Sequence, residues 1–248
     1  MVKSINLIFI TISAGVFVFV PLIPFVIMII KKRTKAMLLG MAGFSIYGIV
    51  LKNLVFFLIF LIPYIKDSLS INIVIYSLSI GVISACLHLL VRYILSKKQD
   101  IADTIAFSTG ESFIQCIYVG VPVAVLNLVY ALIVNFGGFE YIGMTDKLMP
   151  VLTSLINADY TESLPNIAYP FWVFAVNWLT LSIFNNNKLL SALTEFALIT
   201  IYSFLSMQKL FLLNTAYMFF LVILTVFILI IFNTKKRRGI HVENLKLH

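Results

Sequence analysis

Seven long apolar stretches dominate the chain, and short polar segments separate them. As helices, such stretches are long enough to cross the hydrocarbon core of a bilayer, which takes about 20 apolar residues. The predicted spans cover residues 5–30, 37–62, 70–95, 104–135, 167–184, 189–207 and 210–232. The pattern predicts an all-α integral membrane protein, a bundle of about seven transmembrane helices forming a single domain over residues 1–248.

Basic residues indicate which way the bundle faces, because short loops rich in Lys and Arg stay on the cytoplasmic side. They follow the first, third, fifth and seventh predicted spans: Lys31, Lys32, Arg33, Lys35, Lys97, Lys98, Lys188, Lys235, Lys236, Arg237 and Arg238. We therefore expect the amino terminus outside and the carboxyl terminus in the cytoplasm. Residues 136–166 become an extracytoplasmic loop and residues 233–248 a basic cytoplasmic tail. Within the loop, Thr145 is a candidate cap for a short amphipathic helix that contains Leu152 and Leu155.

The composition supports this assignment. Hydrophobic residues make up 61% of the chain and charged residues 11%, whereas soluble domains carry about 25% charged residues. The net charge of +8 follows from the basic helix ends, so we expect the lipid bilayer, and no nucleic acid, as a partner. A bias towards Ile, Lys, Asn and Phe is typical of an AT-rich bacterial source, which predicts a multi-pass protein of the bacterial plasma membrane.

A polar stripe runs along the fourth predicted span. Ser108, Glu111, Ser112 and Gln115 follow the i, i+3, i+4, i+7 spacing, which places them on one face of a helix. An ionisable side chain inside a bilayer is costly unless it is paired. The stripe should therefore face protein or water and not lipid.

Three further ionisable residues, His88, Arg92 and Glu195, lie within the spans. Arg92, Glu111 and Glu195 each lie about 7 to 12 Å from the predicted cytoplasmic boundary at a rise of 1.5 Å per residue. We therefore expect Arg92 to pair with Glu111, with Glu195 or with both. His88 precedes Arg92 by four residues and should share the same polar interior.

Lys52 lies in the outer half of the second predicted span, next to Asn53. No acidic partner for it is evident in the spans. Its long stem can carry the ammonium group outward to the interface, and Asn53 beside it can share a polar niche, so Lys52 is a secondary candidate site.

The residue types present in the predicted spans limit the catalytic chemistry that the chain can perform. A zinc hydrolase needs about three protein ligands, and the other two histidines, His241 and His248, lie in the tail. We therefore expect no metal, no cofactor and no catalytic residue. Ser84 lies one turn from His88, and other spans contain further serines, so a dyad of a serine with His88 stays open as an alternative.

Residues 92–120 read R-Y-I-L-S-K-K-Q-D-I-A-D-T-I-A-F-S-T-G-E-S-F-I-Q-C-I-Y-V-G. This order of an arginine, a basic loop and a glycine-bearing helix resembles the YhfC family of intramembrane metallopeptidases, relatives of the CAAX-protease and bacteriocin-processing group. The resemblance extends through most of the chain and includes the K-K-R-T-K loop and Gly40, Gly43 and Gly48. It implies the scaffold of a membrane peptidase.

The residues that the resemblance would make functional are replaced here. The family's helix histidine falls on Glu111, and its glutamate four residues later falls on Gln115. An upstream paired-glutamate motif falls on Ile83, Ser84 and Leu87, and a later histidine and aspartate fall on Phe196 and Thr200. Zinc could not bind and activate a water without those groups.

Three hypotheses follow. The leading one is a pseudo-peptidase that acts as a binding subunit of a membrane complex, with a membrane-protein partner such as an ABC-type transporter and a hydrophobic peptide or lipid ligand, in transport or bacteriocin immunity. The second is a transporter, or its substrate-binding component, that uses Glu111, Glu195 and Arg92. The third is an intramembrane peptidase with an altered site built from Glu111, Glu195 and His88.

Overall fold

The described residues of the chain fold into helices and form no strand. The computed structural model describes residues 1–96, 103–137 and 148–246. Its seven long helices are Ser4–Ile30, Thr34–Phe60, Ile73–Ser96, Thr104–Phe136, Tyr160–Phe184, Lys188–Met207 and Phe211–Lys246, and its short helices are Pro63–Ile71 and Met149–Asn157. Each long helix contains a segment long and apolar enough to cross a membrane. We call them the first to seventh spans.

Most observed bounds agree with the predicted spans to within three residues, because a long apolar stretch is easy to delimit in a sequence. The fifth span begins at Tyr160, seven residues before its predicted start and inside the predicted outer loop. The largest difference is at the seventh span, whose helix continues through the predicted tail to Lys246, beyond the apolar segment Phe211–Ile230. The first helix runs through Pro21 and Pro24 without ending. Lys97, Lys98 and residues 138–147 of the predicted outer loop lie outside the described residues.

The predicted loop helix is present but begins later than expected. It spans Met149–Asn157, with Pro150 in its first turn, where proline costs no backbone hydrogen bond. The proposed cap, Thr145, therefore precedes the helix and lies outside the described residues. Leu152 and Leu155 are buried against Ile10, Ala131 and Val134 of the first and fourth spans.

The fifth span forms the centre of the bundle. Of its most apolar 18-residue window, 72% is buried, against 17–28% for the other spans, which leaves the other spans with broad apolar faces for lipid. The fifth span packs against the first, fourth, sixth and seventh spans, and the third span packs along the sixth. Polar side chains of the fifth span therefore point into protein from several sides.

The second and fourth spans approach each other closely through two glycines. A Cβ atom on Gly40 would lie 1.9 Å from the carbonyl oxygen of Phe107, and one on Gly110 would lie 1.9 Å from the carbonyl oxygen of Met37. Small residues permit such backbone contact between membrane helices. This contact fixes the height and rotation of Glu111 relative to the second span.

Beyond this contact both helices change their winding. The second span contains a π-helical segment at Ser45–Leu51, and the fourth contains one at Cys116–Gly120, followed by Pro122. The two spans pack closely between Thr34–Phe44 and Thr104–Gln115, whereas Lys52–Phe60 and Val121–Phe136 make no comparable contact. The two helices thus separate towards the predicted outer end. Single-turn π-helical segments occur frequently at functional sites.

We predict that Gly40→Ala and Gly110→Ala each destabilise the protein by about 3 kcal/mol, the upper end of overpacking costs, because the obstructing atoms are backbone. Thermal unfolding of the purified protein in a neutral detergent measures this. Gly15→Ala is the matched control, since a Cβ there meets nothing within 4 Å, and a gain of up to about 1 kcal/mol is expected from helix propensity. Equal unfolding midpoints for all three variants would show that the contact is looser than described.

Candidate functional site

Four ionisable side chains from three spans meet in the interior. They are His88 and Arg92 of the third span, Glu111 of the fourth and Glu195 of the sixth, and their exposed fractions are 0%, 1%, 0% and 4%. We call these four residues the charge cluster. The spacing of His88 and Arg92 places both on the face that the third span turns towards the sixth and fourth spans.

His88 bridges the two glutamates. Its Nδ1 atom lies 2.5 Å from Glu195 Oε1, and its Nε2 atom lies 2.7 Å from Glu111 Oε1. The ring of Tyr47 stacks on the imidazole, with 3.9 Å between centroids and 17° between planes. The imidazole is therefore fixed at both nitrogens and covered on one face.

Arg92 pairs with Glu111 through two hydrogen bonds. Its Nε donates to Glu111 Oε1 at 3.1 Å, and its Nη2 donates to Glu111 Oε2 at 2.6 Å. The predicted ion pair is thus present in its strong bidentate form. Nη1 donates to the hydroxyl of Thr180 at 2.8 Å and lies 3.8 Å from Glu195 Oε2.

The geometry fixes the number of protons in the charge cluster. Both ring nitrogens of His88 face carboxylate oxygens, and each of these short contacts needs a hydrogen between its two atoms. A neutral imidazole carries a single N–H, so one further proton is held on the imidazole or on one of the two carboxyl groups. With that proton and the Arg92 guanidinium, the cluster has no net charge.

Ser112 and Gln115 of the predicted stripe are connected through Asn177 of the fifth span. Its Nδ2 donates to Ser112 Oγ at 3.0 Å and to Gln115 Oε1 at 3.2 Å, and Gln115 in turn donates to the hydroxyl of Tyr169 at 3.3 Å. Asn177 Oδ1 also accepts a long hydrogen bond of 3.4 Å from Arg92 Nη2. Ser108 is buried but bonds to its own helix at the carbonyls of Thr104 and Ile105.

Sequence reasoning missed three residues in direct contact with the charge cluster: Tyr47, Asn177 and Thr180. Asn177 had a usable signal, because an amide inside an otherwise apolar span needs partners for its four hydrogen bonds. Thr180 and Tyr47 had none, since both residue types are common in membrane helices and only packing turns them towards the charge cluster.

The geometry is unfavourable for two of the chemistries considered above. Glu111 and Glu195 approach opposite nitrogens of His88, so one cation cannot bind the imidazole and both carboxylates together. Among the residues that the structure describes, no group of three or more His, Cys, Asp or Glu side chains could hold a metal ion. The serine–histidine dyad is wrong, because both His88 nitrogens face glutamates and Ser84 Oγ has no hydrogen-bond partner in the described part of the chain.

A cavity of about 380 Å³ lies next to the charge cluster, on the side of the predicted outer end. Its walls come from the second to sixth spans: Phe44, Tyr47, Gly48, Lys52, Asn53, Tyr76, Ile80, Ser84, Gln115, Tyr118, Val119, Tyr169, Trp172, Ile199, Tyr202, Ser203, Ser206 and Met207. We call it the aromatic cavity. Tyr47 lines it and also stacks on His88, so one ring separates the cavity from the charge cluster.

Lys52 lies in the wall of the aromatic cavity together with Asn53. Asn53 donates to the hydroxyl of Tyr118 at 3.2 Å, across the gap between the second and fourth spans. Lys52 is therefore separate from the charge cluster and belongs to a second polar zone nearer the predicted outer end.

Comparison with protein-family models, with curated proteins and with solved structures finds no match for this chain. The resemblance to the YhfC family stays a prediction, and the function has to be argued from the site itself.

We predict that Arg92→Met destabilises the protein by about 3–5 kcal/mol, because it leaves Glu111 buried without its cation. Adding Glu111→Gln should recover part of this loss, since the double variant is again neutral. Unfolding in detergent measures both variants.

Lys35→Met serves as the matched control, because it removes an exposed cation and should change the stability by less than about 0.5 kcal/mol. A double variant that is as unstable as the sum of its single variants would contradict the coupling of the two charges.

Proposed function

We propose that this chain is a non-catalytic relative of an intramembrane peptidase and acts as the ligand-binding subunit of a membrane complex. Its location is the bacterial plasma membrane, with the amino terminus outside. The ligand is a hydrophobic peptide or a lipid, and the partner is a second membrane protein such as an ABC-type transporter.

One observation carries this proposal: the charges of the cluster are balanced within it, whereas the cavity beside it contains a polar group without a partner. That group is the hydroxyl of Ser84, which has no hydrogen-bond partner among the described residues. Each carboxylate of the cluster faces a cation or a shared proton, both nitrogens of His88 are occupied, and Tyr47 closes the side towards the cavity. No group of the cluster is free to activate a water or to attack a substrate. The cluster therefore stabilises a scaffold, and the aromatic cavity is the place where a ligand fits.

The size and lining of the cavity also suit binding. Ligand sites are concave, mostly apolar or aromatic, and about 300–1,000 Å³ in volume, with a few polar groups that set orientation. The aromatic cavity, of about 380 Å³, contains five tyrosines and Trp172 together with Lys52, Asn53 and several serines. The resemblance to the peptidase family, whose motif residues are replaced in this chain, supports the same conclusion.

We predict that affinity purification of the full chain from its native membrane in a mild neutral detergent recovers a second membrane protein in stoichiometric amount. Glu195→Gln should leave this recovery unchanged. In that variant a neutral His88 donates from Nε2 to Glu111 and accepts at Nδ1 from the new amide, so every hydrogen bond is kept without the shared proton.

In a peptidase that needs the Glu195 carboxylate, the same substitution would abolish the proteolytic activity although the fold is kept. An unrelated seven-helix membrane protein with the same tag controls for unspecific recovery. Purification of the chain alone, from membranes in which it is produced at its native level, would contradict the subunit assignment.

The second candidate is a proton-coupled transporter, and the shared proton of His88 favours it. Buried ionisable groups that hold a mobile proton are common in pumps and transporters. The hydrogen bonds from Arg92 through Asn177 and Gln115 to Tyr169 connect the charge cluster to the wall of the aromatic cavity. A ligand in the cavity could thus change the energy of the shared proton.

For this candidate, proteoliposomes containing an entrapped pH-sensitive dye should show proton flux under an imposed potassium diffusion potential, and Glu195→Gln should abolish that flux. The variant is a strict control because it keeps the hydrogen-bond pattern while removing the proton. Equal flux from both proteins, at the level of empty liposomes, would exclude proton coupling and leave the binding subunit as the better explanation.

A further inference from the structure

We propose that the aromatic cavity binds a monoanionic amphiphile, with its carboxylate at Lys52 and its single apolar chain leaving between the second and fourth spans. This inference rests on the proposed binding function and specifies the chemistry of the ligand.

Lys52 supplies the charge that selects an anion. It lies eight residues before the end of the second span at Phe60, about 12 Å inside the helix end at 1.5 Å per residue. Across the described parts of the chain it forms neither a hydrogen bond nor a salt bridge. It is also the one charged side chain among the described residues that line the cavity.

The charge cluster does not cancel this ammonium group. Because the two carboxylates of the cluster are already balanced by Arg92 and the shared proton, the cavity and the cluster together carry one net positive charge. A positive charge this far below the helix end is costly without a partner. A single carboxylate would provide that partner and make the whole interior neutral.

Ser84 is a second, independent sign of a missing ligand group. It lines the cavity, its exposed fraction is 2%, and its hydroxyl has no hydrogen-bond partner among the described residues. Serines in membrane helices commonly bond to a carbonyl one turn earlier, as Ser45, Ser112 and Ser182 do here. A buried hydroxyl without a partner is unfavourable, and a carboxylate oxygen could accept its hydrogen bond.

The gap between the second and fourth spans provides the exit for an apolar chain. Beyond their π-helical segments these helices separate, and Tyr118 and Val119 of the fourth span are exposed at 44% and 40% while lining the cavity. Their exposed faces meet lipid and not water if the seven helices span a bilayer. A ligand that reaches Lys52 from the bilayer therefore carries an apolar chain, whereas a small soluble anion would leave this opening unfilled.

The two tryptophans of the chain allow a direct test. Trp172 lines the aromatic cavity, whereas Trp178 lines a different, apolar cavity next to Val20, Pro24 and Val222. Bromine quenches tryptophan fluorescence at short range. We would titrate 2-bromohexadecanoate, whose bromine is adjacent to the carboxylate, into the full chain carrying Trp178→Phe or Trp172→Phe in a neutral detergent.

We expect saturable quenching of Trp172 and weak, linear quenching of Trp178. Lys52→Met should raise the half-saturating concentration by about tenfold or more, Lys52→Arg should keep it within about threefold, and Ser84→Ala should raise it by about threefold. Quenching of Trp178 and the elution profile in detergent should be the same in all variants, which shows that the fold is kept.

Two further probes separate the contribution of the carboxylate charge to binding from that of the apolar chain. The methyl ester of 2-bromohexadecanoate enters micelles but has no charge, and 2-bromopropionate has the charge but no long chain. Quenching of Trp172 by the ester at the concentrations that suffice for the acid would overturn the role of Lys52. Saturation by 2-bromopropionate at equal concentration would overturn the amphiphile and leave a site for a soluble anion.

These results are separable from the proposed function. Absence of saturable Trp172 quenching by any of the three probes, in a protein that still recovers its membrane partner, would refute the ligand class and leave the binding subunit intact. Saturable quenching in a chain that purifies alone would support the ligand class and refute the assignment as a subunit of a membrane complex.

Discussion

Two glutamates are enclosed in the bundle, and a low-dielectric interior makes each of them costly unless a cation or a proton lies beside it. Arg92 neutralises the charge of Glu111, and the proton shared with His88 neutralises that of Glu195. Three spans must therefore hold their depth and rotation to within hydrogen-bond tolerance, because a shift of one residue would separate the partners. The charge cluster thus fixes the register of the third, fourth and sixth spans.

The glycine contact and the charge cluster divide the bundle into two regions with different properties. Towards the predicted cytoplasmic end, Gly40 and Gly110 bring two backbones into contact, and the charge cluster is buried. Towards the other end, the same two helices separate beyond Ser45–Leu51 and Cys116–Gly120 and leave the aromatic cavity. One half therefore contains the close helix contact and the charge cluster, the other contains the aromatic cavity, and Tyr47 marks the boundary between them.

The seven spans were accessible from the sequence because bilayer thickness alone sets their length, and Glu111, Arg92 and His88 were conspicuous because charges are rare inside spans. Their pairing followed from depth. The positions of Tyr47 and Thr180 did not, because the rotation of one helix against another depends on close contacts such as that of Gly40 with Phe107. The π-helical segments were also invisible, since no residue pattern specifies them. Lys52 could be placed at its depth, whereas its place in a cavity wall depends on how its neighbours separate.

The order in which the charges occur along the chain has a consequence for membrane insertion. Arg92 and Glu111 lie in consecutive spans, so their charges cancel as soon as these two helices are in the bilayer. Glu195 follows two spans later, and the sequence from Tyr160 to Met207 offers no basic residue other than Lys188 at the helix end. The last carboxylate therefore reaches a partner only when the sixth span packs against His88 of the third span. Packing of the sixth span against the third is therefore the step of assembly that completes the charge balance of the interior.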